Sequence, residues 1–240
     1  MAKHGKKYRA AAALLEDGRE YGPHTGFSLL KEMNAATYDP TVDCSFRLGV
    51  DPRKADQMVR GSVSLPHGIG KTATVAVVAG GAKATEATEA GADYVGGDDL
   101  VERLQSGELI DELDAIIATP DQMGKLGRLG KVLGPRGLMP NPKSGTVTMD
   151  VTKAVTEIKA GRVEYRTDRQ GNVHTVLGKA SFSADQLLDN YMALLDELLR
   201  QRPASAKGRY LRSVAISTSA SPSVPLDPAA SRDLVEDDDA

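Results

Sequence analysis

The chain has few of the features that stabilise secreted proteins or anchor membrane proteins. It contains one cysteine in 240 residues, so an internal disulfide is excluded and a reducing compartment is favoured. No apolar run approaches the length that spans a bilayer, and the first residues, MAKHGKKYR, lack the apolar segment of a secretory signal. These absences predict a cytoplasmic protein with no membrane partner.

Recognisable catalytic and metal-binding motifs are also missing. The four histidines, at positions 4, 24, 67 and 174, show no metal-ligand spacing, and no serine stands in a G-x-S-x-G elbow. Residues 68–72 (GIGKT) resemble part of a phosphate loop, but Leu65 replaces its first glycine and a β-branched run follows instead of a helix. We therefore predict no catalytic residue, metal or cofactor, and keep a nucleotide-binding enzyme as a weak alternative.

Charge is distributed unevenly along the chain. The formal net charge is −3, but five acidic residues crowd residues 233–240, and without them the remainder carries +2. Basic residues concentrate near the N terminus, at residues 121–148, at residues 162–169 and at residues 207–212. Four such segments interleaved with tyrosines favour nucleic-acid binding over a set of solvated faces. Because tryptophan is absent and aromatics are only 4%, binding should depend mainly on phosphate, 2′-hydroxyl and shape.

The most concentrated of these segments, residues 121–148, is called the basic block below. It has no acidic residue after Asp121, and its five cations, separated by glycines and prolines, are Lys125, Arg128, Lys131, Arg136 and Lys143. Repulsion among five cations is most simply offset by polyanionic phosphate. The block is therefore predicted to contact RNA.

Alternating apolar and polar residues occur near both ends of the chain. Residues 42–48 alternate strictly, which predicts a half-buried strand and puts Cys44 in the core. We predict a helix over residues 28–36 with Ser28 as its N-cap, and a strand over residues 62–65. Later segments predict a hairpin with arms at residues 162–168 and 172–177, a helix capped by Ser183 and Gln186 and ended by Pro203, and a strand over residues 210–217.

The middle of the chain has a different pattern. Residues 74–79 (TVAVVA) form a continuous apolar run, which is typical of a strand buried on both faces. Helical segments near residues 83–90 and 98–105 alternate with strands near residues 93–95 and 113–118, which is typical of a parallel α/β layer. We predict an α/β domain at residues 67–159 inserted into a discontinuous α+β domain, residues 1–66 and 160–228, followed by a disordered acidic tail at residues 229–240.

Several stretches resemble one family, that of the first protein of the bacterial large ribosomal subunit, "L-one". They include LGVDPRKADQMVRG at 48–61, LPHGIGK at 65–71, ATPDQMGKLGRLGKVLGPRGLMPNPKSGTV at 118–147 and AKGRYLRSVAIST at 206–218. The resemblance covers nearly the whole chain. It implies a Rossmann-like inserted domain and a non-enzymatic protein, monomeric when free, that binds large-subunit rRNA at the mobile stalk. It also implies help in releasing exit-site tRNA and repression of its own operon mRNA.

The resemblance implies which residues bind rRNA. The family's principal contact lies on the first domain, at positions occupied here by Lys6, Tyr38, Thr41, Arg166, Ser213, Ser219, Ala220 and Ser221. Tyr38 replaces the more usual phenylalanine, Thr37 a common lysine, and residues 219–221 a Thr-Met-Gly triplet, so we expect weaker rRNA binding than in typical relatives. The basic block becomes a secondary contact with rRNA or tRNA. The altered triplet also leaves open a free-standing mRNA regulator.

Overall fold

The computed structural model describes residues 5–229, except for the side chain of Lys143. In chain order the elements are α1 (Lys6–Ala12), α2 (Pro23–Glu32), β1 (Thr41–Leu48), β2 (Arg60–Ser64), β3 (Val75–Val78), α3 (Ala82–Glu89), β4 (Tyr94–Gly96), α4 (Asp98–Ser106), β5 (Ala115–Ala118), α5 (Met123–Leu126), α6 (Gly130–Leu133), α7 (Val151–Lys159), β6 (Arg162–Arg166), β7 (Asn172–Lys179), α8 (Ala184–Arg200), β8 (Leu211–Thr218) and β9 (Val224–Leu226). None of the helices within residues 5–229 is long and apolar enough to cross a membrane.

The chain divides into two compact units. Within the described residues, the first unit contains residues 5–70 and 163–229, and the second contains residues 71–162. The boundaries predicted from the sequence followed residues 66 and 159. The predicted acidic tail lies outside the described residues from position 230 onward.

The first unit is built on an antiparallel sheet with the strand order β7–β1–β8–β9, while β2 and β6 form a separate two-stranded sheet. The apolar positions of β1 lie in the core with side chains of α2 and α8. Tyr191 of α8 stacks on Phe46 and meets Phe27 of α2 edge-on, each at 5.8 Å between ring centroids. Cys44 is fully buried, as predicted. The polar positions of β1 on the opposite face are half-buried or exposed, so that face is open to solvent.

The long helix α8 begins as the sequence predicts, and a buried asparagine links it to the chain that precedes the second unit. The Ser183 hydroxyl accepts from the Gln186 N–H at 3.1 Å, and the Gln186 side chain accepts from the Ser183 N–H at 3.0 Å, which confirms the capping box. Asn190 of α8 is fully buried. Its amide accepts from the His67 N–H at 3.0 Å and donates to the carbonyls of Gly68 and Leu177 at 3.0 and 2.7 Å. Asn190 therefore fixes residues 67–68, close to the point where the chain leaves the first unit at residue 70.

The second unit is a parallel sheet with the order β4–β3–β5. Every residue of β3 is buried, as its continuous apolar run predicts. Ala76 and Val78 pack with α4 and with leucines of the basic block, whereas Val75 and Val77 pack with α3 and α7 on the other face. The predicted fold class, an antiparallel α+β part together with a parallel α/β part, is confirmed.

One helix of the first unit has other bounds than predicted, and one strand was missed. The helix predicted over residues 28–36 is α2, which starts at Pro23 with Gly22 as its N-cap, because proline is well suited to the first helical turn. Strand β9 was not predicted, because Pro225 breaks its pattern. Proline is tolerated there since β9 lies at the edge of the sheet.

The predicted hairpin at residues 162–177 is also wrong. Strand β6 pairs with β2 and β7 pairs with β1, and of the hairpin only the bridge between Thr167 and Val173 remains. The Asp168 carboxylate accepts from the backbone N–H groups of Gln170 and Asn172 at 2.7 and 2.8 Å. These hydrogen bonds shape a turn that leads the chain from one sheet to the other.

Candidate nucleic-acid interface

Five of the eight predicted rRNA-binding positions lie together, where β1 begins and β8 ends. The Ser219 N–H donates to the Thr41 carbonyl at 3.2 Å. Lys179, at the end of β7, donates from Nζ to Thr41 Oγ1 at 3.0 Å. We call this region the strand-end surface, and it comprises Tyr38, Thr41, Lys179, Ser219, Ala220 and Ser221. It combines an aromatic ring, hydroxyl groups and a cation at one end of the sheet.

Tyr38 is the exposed aromatic residue of this surface. The seven tyrosines and three phenylalanines all lie within the described residues, and every one except Tyr38 is buried or half-buried. Tyr38 is 60% exposed. Its loop is held because the Asp39 carboxylate accepts from the Ser181 N–H and hydroxyl at 2.9 and 2.8 Å, and Lys7 Nζ donates to the Ala35 carbonyl at 3.2 Å. A ring exposed on a fixed loop is positioned to stack on an unpaired base.

The residues after β8 form a turn that Ser221 stabilises. The Ser221 hydroxyl accepts from the Thr218 N–H at 3.0 Å and donates to the Pro222 carbonyl at 2.9 Å. Ser219 and Ala220 are exposed at the top of this turn. Glycine at position 221 could make neither side-chain hydrogen bond, so the serine contributes to the local structure of this chain.

The open face of the sheet next to this surface carries an acidic residue. Asp43 lies between Val176 of β7 and Ser217 of β8. Burial raises the pKa of Asp43, although the nearby charges of Lys179 and His174 act in the opposite direction. A partly buried carboxylate here repels phosphate when it is ionised.

The other three predicted positions lie elsewhere. Ser213 pairs with Arg47 at the opposite end of β8, six residues from Ser219 and therefore roughly 20 Å away. Arg166 is exposed on β6, in the two-stranded sheet. Lys6 is exposed in the first turn of α1, and within the described residues it makes no hydrogen bond or ion pair with the strand-end surface.

Part of the positive charge of the basic block is paired with acidic residues. Leu126, Leu129 and Leu133 are buried in the core of the second unit, and the cations of the block whose side chains are described are exposed. Lys125 forms an ion pair with Asp98 and Arg136 with Asp111. Of the block's cations whose side chains are described, the two without a carboxylate within 4.0 Å in residues 5–229 are Arg128 and Lys131. Acidic residues outside the block therefore offset part of the repulsion among its cations. From the sequence alone, phosphate is predicted to offset it.

The loop at residues 68–72 has the geometry of a turn. Gly68 and Gly70 have φ of 67° and 72°, and strand β3 follows where a phosphate loop has a helix. The Lys71 ammonium donates to both oxygens of Asp114, at 2.7 and 2.8 Å. Its charge is thus paired within the second unit. No group of metal-ligating side chains occurs in the part of the chain that the structure describes.

Comparison with known proteins shows which family this sequence matches. A sequence model described as "Ribosomal protein L1p/L10e family" matches residues 30–222. The "Large ribosomal subunit protein uL1" of Thermobifida fusca (strain YX) is 57% identical over 234 residues, 98% of this chain and 99% of that protein. The protein of the same name from Salinispora tropica is 57% identical over 234 residues, 98% of each chain. That of Rhodococcus erythropolis is 56% identical over 237 residues, 99% of this chain and 98% of the relative. The family match includes every residue of the strand-end surface.

Proposed function

Because this chain belongs to the L1p/L10e family of ribosomal proteins, we propose that it is a structural, non-enzymatic protein of the large ribosomal subunit that binds rRNA. The observation that carries the proposal is the strand-end surface, where the exposed Tyr38 lies three residues before Thr41 and the ammonium of Lys179 donates to the Thr41 hydroxyl. A ring for an unpaired base next to hydroxyl and cationic donors fits single-stranded or looped RNA.

We also propose which RNA segments the protein binds and what their binding does. The rRNA is that of the mobile lateral stalk, and the protein assists release of deacylated tRNA from the exit site. The same surface binds an element of the protein's own operon mRNA and represses its translation. Exposed Arg128 and Lys131 in the basic block support a secondary contact with rRNA or tRNA. The protein acts in the cytoplasm and is monomeric when it is free of ribosomes.

Sucrose-gradient fractionation of cell extracts tests the ribosomal role. The proposal predicts that the protein sediments with large subunits and with intact ribosomes, and that high salt releases it, because phosphate contacts weaken with salt. Absence from large subunits, together with retained binding to the operon mRNA, would instead support a free-standing mRNA regulator.

We further propose that the departures at residues 37 and 219–221 weaken rRNA binding relative to relatives with the family residues. Thr37 is exposed beside Tyr38, so a lysine there can reach phosphate without disturbing the fold. We expect Thr37→Lys to raise affinity for a stalk-rRNA fragment and to steepen the log–log salt dependence by about 0.7 to 0.9, the effect of one phosphate contact. Titrations at several salt concentrations measure both, with Thr37→Gln as the uncharged control. An unchanged slope would show that residue 37 does not face phosphate.

Asp43 should make rRNA binding dependent on pH. Its pKa is raised, so acidification protonates Asp43 at a higher pH than an ordinary carboxyl and removes a charge that repels phosphate. We therefore expect affinity to rise as pH falls toward the raised pKa, and Asp43→Asn to bind a few-fold more tightly at neutral pH with a flatter profile. Filter binding across acidic to neutral pH measures this. If Asp43→Asn keeps the full pH dependence, another titratable group is responsible.

A further inference from the structure

Three loops that are distant in sequence meet at the end of the first unit's sheet opposite the strand-end surface. They are residues 49–57, 167–172 and 203–210. The Gly49 N–H donates to the Tyr210 carbonyl at 2.6 Å, and the Gln57 side chain donates to the Ser205 carbonyl at 3.3 Å. The Leu48 N–H donates to the Gly171 carbonyl at 2.9 Å. Backbone and side-chain hydrogen bonds thus hold the three loops in one arrangement.

The loops approach so closely that side chains are excluded at two positions. A Cβ on Gly49 would lie 2.2 Å from the Arg209 carbonyl oxygen, which no residue other than glycine can avoid without moving the backbone. Gly171 has φ of +83°, and a Cβ there would lie 3.2 Å from the Val50 carbonyl oxygen. The arrangement is therefore built into the fold, and the side chains that it presents are preorganised.

These loops and the adjoining strand ends carry a dense set of cations. We call it the three-loop cluster, and its members are Arg47, Arg53, Lys54, Arg166, Arg169, Lys207, Arg209 and Arg212. All eight are exposed, and none has a carboxylate within 4.0 Å in residues 5–229. The acids in the same loops are Asp51, Asp56 and Asp168, and the carboxylates of Asp51 and Asp168 accept from backbone N–H groups. The net positive charge of the three-loop cluster is therefore larger than that of the basic block, where two described cations lack an acidic partner.

In the described part of the chain, the cluster has no exposed aromatic ring on which bases could stack. Tyr210 is the aromatic residue within the three loops, and it is 4% exposed. Its hydroxyl donates to the Leu198 carbonyl at 3.1 Å, and the Arg202 guanidinium lies 5.7 Å from its ring centroid. Single-stranded RNA is held largely by stacking, whereas a base-paired helix presents phosphates and 2′-hydroxyls. The three-loop cluster is therefore suited to a base-paired RNA helix, and the strand-end surface is suited to unpaired bases.

We propose that the three-loop cluster binds the phosphate backbone of a second, base-paired RNA segment, independently of the RNA at the strand-end surface. The choice of RNA among polyanions rests on the proposed function. The first unit then has two RNA-binding surfaces at opposite ends of one sheet, one reading unpaired bases and the other holding a helix without regard to sequence. One protein can thereby fix two RNA segments relative to each other.

A matched pair of double variants in the full-length protein tests the proposal. Arg53→Gln with Lys54→Gln removes two exposed cations from the cluster, and Arg19→Gln with Lys153→Gln removes the same two residue types from exposed sites outside the proposed RNA-binding surfaces. The probe is a generic RNA duplex of about two helical turns, long enough to cross two minor grooves. We expect the cluster variant to bind it at least about tenfold more weakly, with a salt slope reduced by roughly 1.8 for two phosphate contacts. The control variant should bind nearly as well as the wild type.

Three results would overturn the proposal. They are unchanged duplex binding by the cluster variant, an equal loss in both double variants, and loss of duplex binding in Tyr38→Ala, which would mean that one surface does both tasks. Because all the substituted side chains are exposed, circular dichroism should show unchanged folding. Duplex binding in solution does not require assembly into ribosomes, so failure of the ribosomal role in the sucrose gradient would leave this result intact.

Discussion

Replacing Tyr38 by alanine is expected to weaken binding to a stalk-rRNA fragment by about 5-fold to about 150-fold. That range corresponds to the 1–3 kcal/mol or so that stacking of one base on an aromatic side chain contributes. The loop that carries Tyr38 stays in place without the ring, because Asp39 and Lys7 make the contacts that hold it. Equilibrium titration with a fluorescent RNA fragment measures the loss.

Two controls show whether the loss comes from stacking. Tyr38→Phe keeps the ring and should bind close to the wild type. The melting temperature of Tyr38→Ala should be unchanged, since the ring is 60% exposed and exposed substitutions have small effects on stability. If the alanine variant binds as tightly as the wild type, Tyr38 does not contact RNA and the strand-end surface is not the principal interface.

Replacing Asn190 by leucine is expected to lower the free energy of unfolding by about 2–4 kcal/mol. Leucine has a similar size and fills the space, but it leaves the His67 N–H and the carbonyls of Gly68 and Leu177 without their partner. Urea unfolding, followed by circular dichroism, measures the cost of leaving these buried and partly buried groups unpaired.

The neighbouring residue supplies a control for Asn190. Asp189 also reaches this segment, through its carboxylate and His67 Nε2 at 2.8 Å, but its side chain is 62% exposed. Exposed pairs contribute little, so Asp189→Ala should cost less than about 1 kcal/mol. Equal costs for the two variants would show that the buried amide does not hold the segment.

Elements with a strong local pattern could be predicted from the sequence. The alternation at residues 42–48 predicts β1, the apolar run at 74–79 predicts β3, and Ser183 with Gln186 predicts the start of α8. In each case the pattern directly reflects burial on one face, burial on two faces, or satisfaction of the first N–H groups of a helix. Such signals are contained within a few consecutive residues.

Features that depend on which strands pair could not be predicted in this way. The Asp168 turn separates β6 from β7, so the predicted hairpin is wrong although both strands exist. Lys179 reaches Thr41 only through the register of β7 on β1. The three-loop cluster and the ion pair of Lys125 with Asp98 likewise depend on tertiary contacts. The grouping of Tyr38 with residues 219–221 came from family resemblance, because no periodicity links positions so far apart.

Directed cleavage of rRNA from position 220 tests the central claim, that the strand-end surface holds the stalk rRNA. The one native cysteine, Cys44, is fully buried, and burial raises the pKa of its thiol, so it does not react readily. Ala220→Cys therefore provides a single accessible thiol for an iron chelate that generates hydroxyl radicals. Ser28→Cys, at an exposed site on α2, is the matched control, because α2 packs on the buried side of the sheet. In reconstituted large subunits, we predict strong cleavage of the stalk rRNA from position 220 and weak cleavage from position 28. Stalk rRNA left intact by the probe at 220, or cut equally from both positions, would contradict the account.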